Sequence, residues 1–149
     1  MMPEFLETTV DKFTFRVATD RLYSNAGVWA KEEGTLIRIG LSDFVQQRSG
    51  DVAFAEVKPA GTSFSFDDEI AVIETIKVNI SLGSPVGGKV LESNPAMDTT
   101  PEAINLDPYG EGWLALVEPG DWSSDKTRLL SAQVYFKKMR LEAEQEVGK

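Results

Sequence analysis

The run Ile73-Glu74-Thr75-Ile76-Lys77-Val78-Asn79-Ile80 sets one lysine three residues after a glutamate and eight before Pro85, which Val86 and Gly87-Gly88 follow. A lysine amine forms stable amides. A lysine presented on a tight turn is therefore a point where a modifying enzyme can attach an acyl-linked cofactor. Attachment removes the ammonium charge and lengthens a side chain whose four-carbon stem is already mobile. Glu74 and the turn are the landmarks such an enzyme would read. That chemistry makes a carrier rather than a catalyst. The plainer reading is a surface lysine in a turn, one of 15 basic residues, and spacing alone leaves both open.

The rest of the composition narrows the chemistry further. With no cysteine and no histidine, the chain has no thiolate nucleophile, no Cys/His zinc site, no Ser-His-Asp triad and no imidazole proton shuttle. A formal net charge of -9 argues against nucleic acid, whose phosphates need a cationic surface, and favours protein partners with basic surfaces. The N-terminal Met1-Met2-Pro3-Glu4-Phe5-Leu6-Glu7 has neither a cationic segment nor an apolar core, so a cytoplasmic address is expected. No apolar run approaches the ~20 residues a bilayer requires.

At 149 residues and 16.4 kDa the chain suits one domain, residues 1–149, burying roughly two-thirds of its unfolded surface. Phe13, Phe15 and Val17 alternate with polar residues, as do Ile37, Ile39 and Leu41, which predicts half-buried strands. Glu32-Glu33-Gly34 reads as a turn. Ser42-Asp43 caps a short helix over Phe44 to Arg48 that Gly50 ends. In Asp51–Val57, Val52 and Phe54 are expected on one face and Ala53, Ala55 and Val57 on the other. The strand from Ile70 to Glu74 and a second at Val86 to Leu91 are expected to flank Lys77. Thr100 and Pro101 suit a helix start, Asp107–Gly112 a turn, and Trp113–Val117 the last strand. From Ser123 the pattern turns helical, with Leu130, Val134 and Leu141 as the apolar stripe, Phe136 and Met139 nearby, and Ser131 as a point of division. Trp29, Trp113 and Tyr109 read as core or turn anchors. Asp67-Asp68-Glu69 reads as a solvated acidic turn, since it lacks the spaced oxygens of a calcium loop. Gly87-Gly88 reads as hairpin geometry, not a phosphate loop.

Several of these segments together resemble the glycine cleavage system H-protein family. They are Glu74–Lys77, Ser84–Val90, Asp107–Trp113, Gly40–Phe44 with Gln46, and Gly50–Val57. The likeness runs from about Leu22 into the C-terminal helix, with a core of about 22–122 and a helical region of about 123–147. It implies a mainly β fold with added helices, a biotinyl/lipoyl-type barrel-sandwich hybrid with a C-terminal helix. It also implies lipoate in amide linkage at Lys77, with Glu74 recognised by the lipoylating enzyme, a lipoate ligase or lipoyl transferase. The implied partners are a pyridoxal-phosphate glycine decarboxylase, an aminomethyltransferase and dihydrolipoamide dehydrogenase, between which the arm carries a methylamine group. No catalytic residue and no metal are implied. A cofactor-borne disulfide explains how a chain without cysteine does thiol chemistry.

The chain departs from the family at three positions. Gly27-Val28 stands where a His-Glu pair precedes the tryptophan, and Ser81 where an aspartate follows the lipoyl lysine. In the family these lie near the cleft that shelters the loaded arm. These departures raise the alternative of a divergent lipoate-binding paralogue serving other chemistry, such as sulfur-compound oxidation, and the net charge of -9 raises that of an unmodified acidic interaction module. A biotin carrier would share the fold, but Ile76 and Val78 flank Lys77 where biotin carriers have methionines.

Overall fold

The computed structural model describes residues 3–147. It opens with an antiparallel hairpin of β1 (Phe5–Val10) and β2 (Phe13–Ala18), closed by Asp11-Lys12 with Asp11 at φ 56, a conformation that aspartate tolerates. Phe15 and Val17 are buried as their alternation predicts, whereas Phe13, beside the Asp11-Lys12 turn, stays 49% exposed. Next come β3 (Leu22–Tyr23), β4 (Val28–Glu33) and β5 (Leu36–Leu41). The turn between the last two uses Gly34 at φ +65, as Glu32-Glu33-Gly34 predicts. Ile37, Ile39 and Leu41 all point into the core. Trp29 lies flat against Gly40, where a methyl group would fall 2.2 Å from the indole. Its Nε1 donates to the carbonyls of Leu41 and Pro108.

Helix α1 (Asp43–Ser49) is capped as expected: Ser42 Oγ accepts from Val45 N, and Gly50 ends it at φ 90. Strands β6 (Val52–Val57), β7 (Ser63–Phe64), β8 (Glu69–Thr75), β9 (Asn79–Gly83) and β10 (Gly88–Ser93) follow. After them come α2 (Ala96–Thr99), α3 (Ala103–Leu106), β11 (Ala115–Pro119), α4 (Trp122–Asp125), a 3-10 turn at Lys126–Arg128 and α5 (Ala132–Val147). One six-stranded antiparallel sheet has the order β3-β4-β5-β11-β10-β7; a three-stranded sheet has the order β6-β8-β9. Both sheets, α1, α5 and the first hairpin contribute to one hydrophobic core. The mixed β/α architecture with a C-terminal helix matches the expectation. The barrel does not, because both sheets end in free edges and neither closes on itself.

Several local expectations are corrected. The partner of β8 is β9, immediately after Lys77, while Gly88–Ser93 belongs to the larger sheet. A bulge between Val52 and Phe54 shifts the face of β6, so Val52 and Ala55 are buried and Phe54 is 49% exposed. Thr100 does not start a helix. Its N–H donates to Ala96 O and closes α2, and α3 begins beyond Pro101. The last strand lies two residues later than its apolar run suggests. The C-terminal helix does divide at Ser131, whose Oγ accepts from Val134 N. Its buried face is Ala132, Tyr135, Met139 and Ala143, while Val134 and Leu141 are 52% and 56% exposed. Tyr23 decides that face, because its ring stacks on Tyr135 at 4.6 Å and 5°.

Candidate functional site

Lys77 lies in the four-residue turn Thr75-Ile76-Lys77-Val78 between β8 and β9, with Thr75 N donating to Val78 O. The turn is held from inside by one hydroxyl. Thr75 Oγ1 accepts from Lys77 N at 3.1 Å and from Val78 N at 3.0 Å, and donates to Val78 O at 3.1 Å. This fixes the backbone of the lysine without engaging its side chain. Ile76 is 77% exposed and Val78 47%, so apolar side chains flank Lys77 on a projecting tip. Among the described residues Lys77 makes no ion pair. Glu74 is exposed at the end of β8, opposite Asn79 and Phe54 on the neighbouring strands. An exposed amine on a rigid turn, three residues beyond an exposed carboxylate, fits the requirement for amide attachment of an arm.

The lysine stem rests on the end of α1. A methyl group placed on Gly50 would lie 3.4 Å from both Cδ and Cε of Lys77. Asn105 holds this junction: its Oδ1 accepts from Val52 N, and its Nδ2 donates to Gln46 Oε1 and to Gly50 O. From there a groove of about 270 Å³ opens beside Lys77. Phe13 and Phe15 of the first hairpin and Phe44 of α1, with the aliphatic Val10, line it, as do Ala143 and Val147 of α5. Phe15 meets Phe44 edge-on at 5.3 Å. The hairpin is pinned to α1 by two hydrogen bonds: Gln47 Nε2 donates to Thr14 O, and Arg16 N donates to Asp43 Oδ2. Neither Thr75, Asn105 nor this hairpin is marked as functional by sequence pattern.

The three departures fall in less accommodating places. Val28 is fully buried. A methyl group on Gly27 would lie 2.5 Å from Val45 Cγ2 and 2.7 Å from the Tyr135 hydroxyl. Tyr135 donates to or accepts from Ser42 Oγ at 2.8 Å, and so α5 fills the space a larger side chain at position 27 would need. Ser81 Oγ donates to Glu69 Oε2 at 2.6 Å. Asp67-Asp68-Glu69 forms an acidic turn in which Asp68 Oδ2 accepts from Ser65 N, and no group of carboxylates suited to a metal occurs among the described residues. A methyl group on Gly88 would meet Glu118 O at 2.1 Å, so Gly88 permits the close approach of β10 and β11.

The model of the glycine cleavage H-protein family matches residues 21–142. This chain belongs to that family. It is 35% identical over 127 residues to the glycine cleavage system H protein of Thermus thermophilus, covering 85% of this chain and 98% of that one. The H protein of Halalkalibacterium halodurans is 39% identical over 113 residues, covering 76% and 88% respectively. The crystal structure of the H protein from Mycobacterium marinum superposes with a TM-score of 0.71 at 28% identity, covering 82% of this chain and 98% of that one. The protein is therefore a lipoyl carrier of the kind that serves glycine decarboxylation, a subunit that catalyses no step itself. No described helix is long and apolar enough to cross a membrane.

Proposed function

We propose that Lys77 is the residue that bears lipoate, in amide linkage through Nζ. The exposed Lys77 at the tip of the Thr75-braced β8–β9 turn carries this reading. Glu74 and the turn are the features that a lipoate ligase or lipoyl transferase recognises. The bound cofactor supplies a disulfide that accepts and releases cargo; the chain supplies a rigid base, a mobile stem and a surface for docking. In this role the chain acts as one unit over residues 1–149. It shuttles a methylamine group between a pyridoxal-phosphate glycine decarboxylase and an aminomethyltransferase, and a dihydrolipoamide dehydrogenase reoxidises the arm. The site of action is cytoplasmic.

The test is the intact mass of the full chain produced with lipoate and active ligase, followed by peptide mapping. One lipoyl adduct, confined to Lys77 and absent from Lys77→Arg, is the expected result. An unmodified chain would instead favour an unmodified acidic interaction module. A second reading concerns cargo alone. The filled space beside Gly27 and the buried Val28 leave no room there for the family's His-Glu pair, which favours a paralogue with a different cargo. Glycine–bicarbonate exchange sustained by the lipoylated chain with the partner enzymes would exclude it.

A further inference from the structure

The N-terminal hairpin is an addition to the family's domain. The family model begins at residue 21, beyond Phe5–Ala18, and 85% of this chain suffices to match 98% of the Thermus thermophilus relative. The addition is firmly seated. Val17 and Ala18 are fully buried, Phe15 nearly so, and Tyr109 Oη donates to Arg16 O. Its turn, by contrast, faces solvent: Asp11 and Lys12 are exposed, and the Phe13 ring beside them is 49% exposed.

Position decides what this turn can do. Val10 and Phe13, on either side of Asp11-Lys12, line the same groove as Lys77. The two hairpin turns therefore stand at one end of the molecule, and a protein that closes over Lys77 meets Phe13. Phe13, Ile76 and Val78 give this end an exposed apolar spot. Asp51 belongs to the same face, because the next residue, Val52, pairs with Thr75. Asp11, Asp51 and Glu74 are exposed and make no ion pair among the described residues. Lys12 offsets its neighbour Asp11, so Asp51 and Glu74 set the sign of the face. Arg48, at the rim of the groove, is already matched by Glu142 and Glu146. An apolar spot edged by unpaired carboxylates complements a protein surface with an apolar recess and Lys or Arg at its border.

Enzymes that act on the disulfide meet the arm at its far end, many bonds beyond Nζ. The enzyme that forms the amide must bring its active site to Nζ itself. A ligase activates lipoate with ATP as the acyl adenylate; neutral Nζ attacks the carbonyl carbon, the C–N bond forms, AMP leaves and Nζ gives up a proton. We propose that Phe13 and Asp51 belong to the docking face for this lipoate-attaching enzyme. Phe13 enters an apolar recess beside the active site, and Asp51 joins Glu74 in meeting basic side chains at its border. The proposal rests on the assignment of lipoate to Lys77. It gives the added hairpin a function, since it widens the surface by which the lysine is recognised.

The experiment uses the full unmodified chain as substrate for a purified lipoate ligase with lipoate and ATP, with intact mass and peptide mapping as the readout. Phe13→Ser should lower kcat/KM about tenfold, the size of one interface aromatic, through KM rather than kcat, and Phe13→Leu should stay within about twofold of the parent. Asp51→Lys should also raise KM severalfold and weaken its dependence on salt. Acetylation of Lys77 Nζ by a small succinimidyl ester needs no docking, and its rate should be the same in all four chains. An unchanged KM for Phe13→Ser would overturn the part assigned to the hairpin, and an unchanged KM for Asp51→Lys that assigned to the acidic border. A parallel fall in succinimidyl ester reactivity would also overturn the docking role, because the substitution would then be acting on the Lys77 turn. A parent chain that gains no adduct at Lys77 would overturn the lipoate assignment and this proposal with it, and the mass measurement separates that outcome from the others.

Discussion

At the scale of single residues, the site depends less on Lys77 than on what holds its backbone. Thr75 Oγ1 takes both N–H groups of Lys77 and Val78 and returns its own proton to Val78 O. Valine keeps the shape of threonine but makes none of these bonds. Thr75→Val is expected to cost about 1 kcal/mol in turn definition, since exposed N–H groups regain water. That corresponds to about fivefold in the population of the presented turn. The rate of lipoylation by ligase at limiting enzyme should fall by a similar factor, with the thermal midpoint of the whole chain little changed. An unaltered rate would show that the enzyme reads the lysine without regard to the turn. That Lys77 stands exposed on a turn was legible in the sequence, from the strand pattern before it, while the role proposed for Lys77 and Glu74 came from the family resemblance and not from spacing. Thr75 and Asn105 were not legible. Their roles consist of hydrogen bonds whose partners appear only once β8 has paired with β9 and α3 has met α1.

At the scale of elements, the same division separates what periodicity reveals from what packing decides. The strand Leu36–Leu41 was legible because Ile37, Ile39 and Leu41 repeat at the pleat's period of two, and all three are buried. Capping of α1 by Ser42 and its end at Gly50 were equally legible, being local chemistry. The face of α5 was not. Its apolar residues surround much of the helix, and the choice falls to Tyr135, which stacks on Tyr23 and bonds Ser42. This gives a contrast that mutation resolves. Met139 is fully buried, so Met139→Ala should cost about 2–5 kcal/mol and lower the thermal midpoint by roughly 5 °C or more. Leu141→Ala removes a side chain from the exposed face and should stay within about 0.5 kcal/mol. Thermal unfolding of both variants checks the pair; equal losses would mean that the helix presents its other face to the core. The bulge in β6 escaped pattern reading for a related reason: one extra residue reverses the alternation, and Phe54 turns outward near the Lys77 hairpin.

At the scale of the whole molecule, the three tyrosines knit together the hairpin, the large sheet and α5. Tyr23 Oη donates to Ala18 O, Tyr109 Oη donates to Arg16 O, and Tyr135 shares a hydrogen bond with Ser42. Burial raises the pKa of each phenol. Tyr135 is pushed up to about 12, with the Ser42 hydrogen bond acting in the opposite sense, while Tyr23 and Tyr109 are raised further. In the unfolded chain a phenol loses its proton near pH 10. The folded state therefore holds protons that the unfolded state has released, and stability falls as pH rises above 10. Below pH 10 this contribution is complete; it is lost between pH 10 and about 12 as Tyr135 reaches its own pKa. Each phenolate also adds to a net charge of -9, which increases self-repulsion in the compact state. Phenolate absorbance should stay absent at pH 10 and then rise in one step, together with the loss of tertiary circular dichroism. A tyrosine that ionised near pH 10 while the fold persisted would break this coupling. It would mean that its ring is not clamped between the N-terminal hairpin and α5, the two elements that wall the groove beside Lys77.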